Sequence, residues 1–363
     1  MKKTALFLGI LIFVFSCAKK EDSINLTPVV DPQPSGYKNI ILMIGDGMGL
    51  GQISGARTMK DEHMNMLRCK NVGIQATQAA DNYITDSGAS ATAIGCGQKT
   101  NHYSIGVDIN GNPINSILKL ARQHGLSTGL TVTSIINHAT PASFYAHNPD
   151  RFDYEDIALQ LISSGIDFFS GGGRKYFNDR TDGLNLIDSL ISRNYQVVDN
   201  LSNITGNKKV AAILAEVHLP KYSNGRGDIL PNSVTLAIKQ LSKNEKGFFL
   251  MVEGSQIDWG GEANDQDYVM DEMFDFDKAV GIALDFAETD GNTLVIITGD
   301  HETGGFALIG GDQSNNSIQG DFVSQGHTGT MIPVFAYGPG SYEFRGIYEN
   351  TEIFKKMKGY FGF

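Results

Sequence analysis

Three apolar runs of this chain drive straight into acid. "NIILMIGDG" (39–47) leads to Asp46, "GFFLMVEG" (247–254) carries Glu253, and "NTLVIITGDHE" (292–302) leads to Asp300. Runs this short and continuously apolar fit strands covered on both faces, and "STGLTVTS" (127–134) has the same character. Between them lie amphipathic stretches, "NSILKLARQHG" (115–125), "LNLIDSLISRN" (184–194) and "SVTLAIKQLSKN" (233–244), each closing on Gly or Asn as helix C-termini often do. This alternation predicts an α/β fold, a three-layer sandwich with a mainly parallel central sheet. The carboxyl ends of parallel strands share one edge, where ligands bind. Acids from three strands would converge there, and buried carboxylates need a counter-charge. The pattern therefore predicts a metal site at the carboxyl ends of the strands.

The chain has 363 residues, with 29 Lys and Arg against 40 Asp and Glu, a formal charge of −11. That length suits one large α/β domain or two smaller ones. The acidic balance argues against general binding of nucleic acid or anionic membrane surfaces. Residues 1–16 read as a secretory signal, with Lys2 and Lys3 ahead of a short apolar stretch from Ala5 to Phe15. "VFSC" (14–17) resembles a bacterial lipobox, which would make Cys17 a lipidated N-terminus and membrane anchor; plain secretion with cleavage nearby is the alternative. Residues 17–36 form a polar, Pro-containing tether, which leaves 37–363 for the folded part. An exported protein could pair Cys69 with Cys96, which spacing does not decide. No Cys-x-x-Cys or Cys/His cluster exists, so a metal would rest on carboxylates and imidazoles.

The motifs carry alternatives. "GDGMGLG" (45–51) is not a dinucleotide fingerprint, since Leu50 stands where a third glycine belongs and Asp46 would repel phosphates; a loop or a metal ligand on a tight turn remains. In "TGDHETGG" (298–305), Asp300 and His301 suit zinc or a related cation, or form a loop with a capping Asp. In "ITDSGASATAIG" (84–95), Asp86 or Ser87 caps a close-packed helix, or Ser87 is a nucleophile at a helix N-terminus that favours phosphate. "NHATPASFYAHNPDR" (137–151) supplies His138, Thr140 and Arg151, the last a bidentate fork for phosphate oxygens. His327 in "SQGHTGT" (324–330) is a ligand or an exposed loop residue. Glu253, Asp258 and Glu262 crowd ten positions of "VEGSQIDWGGEAN". His63, His102, His124, His147 and His218 read as structural or solvent-facing.

Together these segments, in order from 37 to 340, resemble the alkaline phosphatases. The resemblance implies hydrolysis of small phosphate monoesters through a phosphoserine on Ser87, assisted by two zinc ions and one magnesium ion. It places Asp46, Asp300 and His301 on the zinc that ionises Ser87, and Asp258 and His327 on the zinc serving the leaving group. Asp46, Thr140 and Glu253 would hold magnesium, and Arg151 would clamp the phosphoryl oxygens. Three positions depart from the pattern. His138 stands beside the magnesium site as in animal members, and Trp259 replaces the lysine of the best-known bacterial member. Glu262 occupies the place of a zinc-ligating histidine, four residues from Asp258 and so on its helical face. The resemblance implies a single catalytic domain over 37–363 with a short crown-like insertion at 306–325, and dimers are usual in the family. A phosphodiesterase or sulfatase of the same superfamily, and an inactive metal- or phosphate-binding surface lipoprotein, are the competing readings.

Overall fold

The computed structural model describes residues 38–60 and 63–363; the expected signal, Cys17 and the whole of the expected tether lie outside them. The strands in chain order are β1 (Asn39–Gly45), β2 (Asn71–Ala76), β3 (Ser127–Ile135), β4 (Phe168–Gly172), β5 (Tyr195–Val198), β6 (Lys209–Ile213) and β7 (Phe248–Gly254). They continue as β8 (Thr293–Gly299), β9 (Glu302–Thr303), β10 (Ala307–Asp312), β11 (Ser317–Asp321), β12 (His327–Thr328), β13 (Ile332–Tyr337) and β14 (Gly346–Glu349). Ten of them form one sheet, ordered β14-β2-β13-β8-β1-β7-β3-β4-β6-β5. Within it β13 alone runs against its neighbours.

The continuous apolar runs follow from burial on both sides. Along β1, Ile41 and Met43 enter one core while Ile40, Leu42 and Ile44 enter the other. Strands β7 and β8 divide their side chains in the same way: Leu250 and Val295 go to the first core, Met251 and Ile296 to the second. Helices α1 (Leu50–Met59), α8 (Ile229–Leu241), α9 (Gln256–Glu262) and α10 (Gln266–Asp290) cover the first face. The second is covered by α2 (Ser87–Cys96), α3 (Ile117–Gln123), α5 (Tyr154–Ser164), α6 (Lys175–Asn178), α7 (Leu186–Ser192) and α11 (Thr351–Phe361), with the short α4 (Ala139–Ala142) against α2. This is the three-layer sandwich expected. Helix α8 starts four residues before the amphipathic stretch at 233, because Pro231 sits in its first turn, where a missing N–H costs nothing. The stretch from 306 to 325 holds the exposed hairpin of β10 and β11. Cys69 and Cys96 are free, and burial pushes each thiol up to about 12.

Helix α10 carries acids on its buried face. Glu272 and Asp275 both pair with Arg226, whose side chain is fully enclosed, and Glu272 also accepts the Tyr222 N–H. Asp277 receives the N–H groups of Asn65 and Met66 at 2.9 and 3.1 Å. Removing one partner of such an enclosed group strands the other charges. Arg226→Ala should therefore destabilise the fold by about 3–5 kcal/mol, as read from urea unfolding; an unchanged midpoint would show that the acids ionise there without their partner.

Candidate metal centre and active site

Register brings the strand-end acids together. β1 pairs residue for residue with β7 and with β8, so that Gly45 faces Gly254 on one side and Gly299 on the other. Asp46 and Asp300 thus leave adjacent strands at the same level, with Glu253 one pair below. The turn after β1 is drawn in by its amides: the Gly47 N–H donates to Asp300 Oδ1 at 3.1 Å. Gly47 has φ +76°, and a Cβ there would lie 2.6 Å from the Asp258 Cα, so only glycine lets α9 approach this turn. Asp258 arrives in the first turn of α9. The ribbon of β9 and β12 sets His327 opposite Thr303.

Among the described residues, three sets of donors gather, each within 4.8 Å: Asp46, Asp300 and His301; Asp258, His301 and His327; and Asp46, His138 and Glu253. Both oxygens of Asp46, both of Glu253, Asp300 Oδ2 and Thr140 Oγ1 are buried with no hydrogen-bond donor. Burial raises the carboxyls of Asp46, Asp258 and Asp300, and it pushes Glu253 up to about 8, with the Asp300 charge adding to the rise.

The histidines show what is missing. The Thr303 hydroxyl donates to Asp258 Oδ1 and is therefore an acceptor toward His301 Nδ1, 3.2 Å away. Nδ1 then carries the His301 proton, because burial holds that imidazole neutral. Its Nε2 lone pair faces Asp46 Oδ1 and Asp300 Oδ2, each at 3.3 Å. His327 repeats the arrangement. Its Nδ1 donates to the Thr85 carbonyl at 2.8 Å, and Nε2 faces Asp258 Oδ1 at 3.5 Å. Two imidazoles turned toward carboxylates, each ring fixed through its other nitrogen, form the donor chemistry of cation sites. The residues fit metal ions.

Ser87 opens α2, and Asp86 caps it by accepting the Gly88 and Ala89 N–H groups. Asp86 also accepts from Arg151 Nη1 at 2.8 Å. Burial alone would raise this carboxyl, but the Arg151 charge and the amide donors outweigh it and hold it below its ordinary value. Ser87 Oγ lies 3.4 Å from both Arg151 Nη1 and His301 Nε2. Arg151 Nη2 reaches His138 Nε2 at 3.3 Å, leaving Nε without a partner. These groups border a cavity of about 560 Å³ that also touches Asp258, Trp259, Glu262 and His327.

The alkaline phosphatase family model matches residues 37–320 and 311–362. This chain belongs to the alkaline phosphatase family. It is 35% identical to alkaline phosphatase 3 of Bacillus subtilis, covering 88% of each chain. The alkaline phosphatase of the Antarctic bacterium TAB5 superimposes with a TM-score of 0.86 at 44% identity, covering 90% of this chain and 98% of that one. Two variants of the TAB5 protein, each with a histidine replaced by an acid, hold magnesium in their M3 site. The cold-active alkaline phosphatase of Shewanella gives 0.84 at 31% identity, covering 90% of this chain and all of that one.

Ser87, His138, Arg151, Asp258, Trp259, Glu262 and His327 line the cavity, Asp46, Glu253, Asp300 and His301 join the donor sets, and the Thr140 side chain lies against Glu253; Glu262 alone of the expected carboxylate and imidazole ligands joins none of the three sets. Glu262 is exposed, and its carboxyl is raised by partial burial and then by the Asp258 charge. Trp259 packs against His218, with ring centres 4.5 Å apart, and stands edge-on to His138 at 6.2 Å. His218, read as structural, thus buttresses the cavity wall; burial lowers it to about 4, and its Nδ1 accepts the Ile135 N–H. Thr303 and the second role of Asp86 escaped the sequence reading. A helix-capping Asp was legible, but a threonine in a Gly-rich loop carries no signal.

Raised carboxyl pKa values mean that the folded chain binds protons more tightly than the unfolded one, so rising pH favours unfolding of the cation-free protein. Chelator-treated protein should lose thermal stability between about pH 4.5 and about pH 8, and protein resupplied with Zn²⁺ and Mg²⁺ should resist that loss. Melting curves across the window check this; a flat profile for the chelated sample would contradict the assignment of burial cost to these acids.

Proposed function

We propose that the chain hydrolyses phosphate monoesters through a phosphoserine on Ser87, with two zinc ions and one magnesium ion resident at the strand ends. The observation that carries this reading is the His301 lone pair and the His327 Nε2, both held against carboxylate oxygens beside a serine and an arginine. Asp46, Asp300 and His301 would hold one zinc, Asp258 and His327 the other, and Asp46, Thr140 and Glu253 the magnesium. Bound cations supply positive charge that lowers the pKa of a nearby hydroxyl and neutralises oxygens at phosphorus.

The chain's own groups set the geometry. Ser87 is presented by the first turn of α2, where backbone N–H groups favour an anion. Arg151 has spare N–H groups for phosphoryl oxygens, and Asp86 fixes the plane of its guanidinium. The Ser87 Oγ–phosphorus bond forms as the ester oxygen departs and takes up a proton. Water then cleaves the phosphoserine, releasing phosphate and returning a proton to Oγ.

Ser87→Ala should abolish hydrolysis of an aryl phosphate while zinc and magnesium contents stay unchanged by elemental analysis. Normal turnover by that variant would sink the phosphoserine route. Loss of activity on chelation and its return with both metals is the companion result.

Glu262 is proposed to approach the cation held by Asp258 and His327, from which it stands one helical turn away on α9. Two carboxylates and one imidazole make a harder donor set than one carboxylate and two imidazoles. Glu262→His should tighten zinc at this position roughly tenfold in competition with a chromophoric chelator. An unchanged zinc affinity would mean that the carboxyl stands clear of the metal.

A further inference from the structure

The cavity mouth carries two large rings that contribute nothing to the core. Tyr103 is 47% exposed and Phe152 is 55% exposed. Their ring centres are 5.5 Å apart at a tilt of 48°, and His102 lies 4.1 Å from Tyr103. Phe152 directly follows Arg151, whose guanidinium carbon is 5.6 Å from the Phe152 ring. All three residues line the cavity that holds Ser87.

The backbone holds Tyr103 there against its own preference. Its φ is +68°, in the left-handed region that a bulky residue resists and glycine accepts freely. Two hydrogen bonds enforce the conformation. The Tyr103 N–H donates to Asp86 Oδ1 at 3.0 Å, and its carbonyl accepts the Arg151 N–H at 2.8 Å. The residue is thereby tied to the phosphate clamp and to the carboxylate that fixes it. Nothing in the fold requires an aromatic ring at this strained position, and strain of this kind gathers at functional sites.

Rings this close touch each other and leave no slot between them, and their 48° tilt offers a planar group one ring face-on with the other closing the angle beside it. A phosphate seated on Arg151 and Ser87 would direct its ester group outward, along that wall. An exposed aromatic wall beside a phosphate clamp fits a leaving group with a planar face, and because the Phe152 ring centre stands 5.6 Å from the Arg151 guanidinium carbon, a spacer such as ribose is needed between phosphate and ring. Resting on the phosphatase reading above, we infer that the preferred substrates are nucleoside monophosphates, whose base stacks on Tyr103 and Phe152.

Adenosine 5′-monophosphate and ribose 5-phosphate lose phosphate from the same primary alkoxide and differ in the base alone. The wild-type enzyme should favour the nucleotide in kcat/KM by at least about fivefold, the scale of one base stacked on an aromatic side chain. In the double variant Tyr103→Gly with Phe152→Ala the ratio should fall toward one. Glycine suits the φ at 103 and keeps both backbone bonds, and thermal melting checks that the variant folds. A wild-type ratio near one overturns the inference without any variant, and so does a double variant that keeps the full ratio. Fast turnover of both esters at equal efficiency sinks this inference alone, whereas failure to hydrolyse either sinks the phosphatase reading with it. A double variant that changes oligomeric state and leaves the ratio intact would assign the rings to a contact between copies and overturn the stacking role.

Discussion

Asp46, Glu253, Asp258 and Asp300 share one buried volume, and their mutual repulsion is the constraint on which the rest depends. Among the described residues no lysine pairs with them, and Arg151 is already committed to Asp86. Carboxylates without donors in a dry interior either take up protons or take up cations. The neutral His301, with its lone pair aimed at two of these oxygens, decides between these outcomes, because a lone pair facing a carboxylate gains nothing until a positive charge lies between them.

The scaffold keeps that arrangement from relaxing. Three adjacent parallel strands, β7, β1 and β8, pair in register and are sealed on both faces, so their ends cannot move apart. Thr303 links Asp258 to His301 through one hydroxyl, and the Thr85 carbonyl orients His327. Side chains held by a second layer of hydrogen bonds are preorganised for cations, which lowers the cost of binding them.

The anion side of the site is built separately and joined through Asp86. One carboxylate caps α2, fixes Arg151 and holds the backbone of Tyr103. Nucleophile, clamp and cavity rim therefore move as a unit. The cation cluster and this unit meet at Ser87, which lies between His301 and Arg151.

The sequence by itself determined the four central strands, the acids at the ends of three of them and the helix start that presents Ser87. Those features depend on periodicity and on neighbours along the chain: apolar runs with no polar face, a capping Asp, a glycine at a tight turn. It also placed the motifs in an order that named the family and pointed to the residues that the strand ends gather. Tertiary structure alone decided which nitrogen of His301 carries the proton, since that depends on Thr303 bonding an aspartate 45 residues away. It likewise decided that Arg151 answers Asp86, 65 residues distant, and that Tyr103 stands strained at the cavity mouth. The two free cysteines and the exposed position of Glu262 were open in the sequence for the same reason. Each rests on contacts fixed by sheet register and helix packing, which local pattern does not encode.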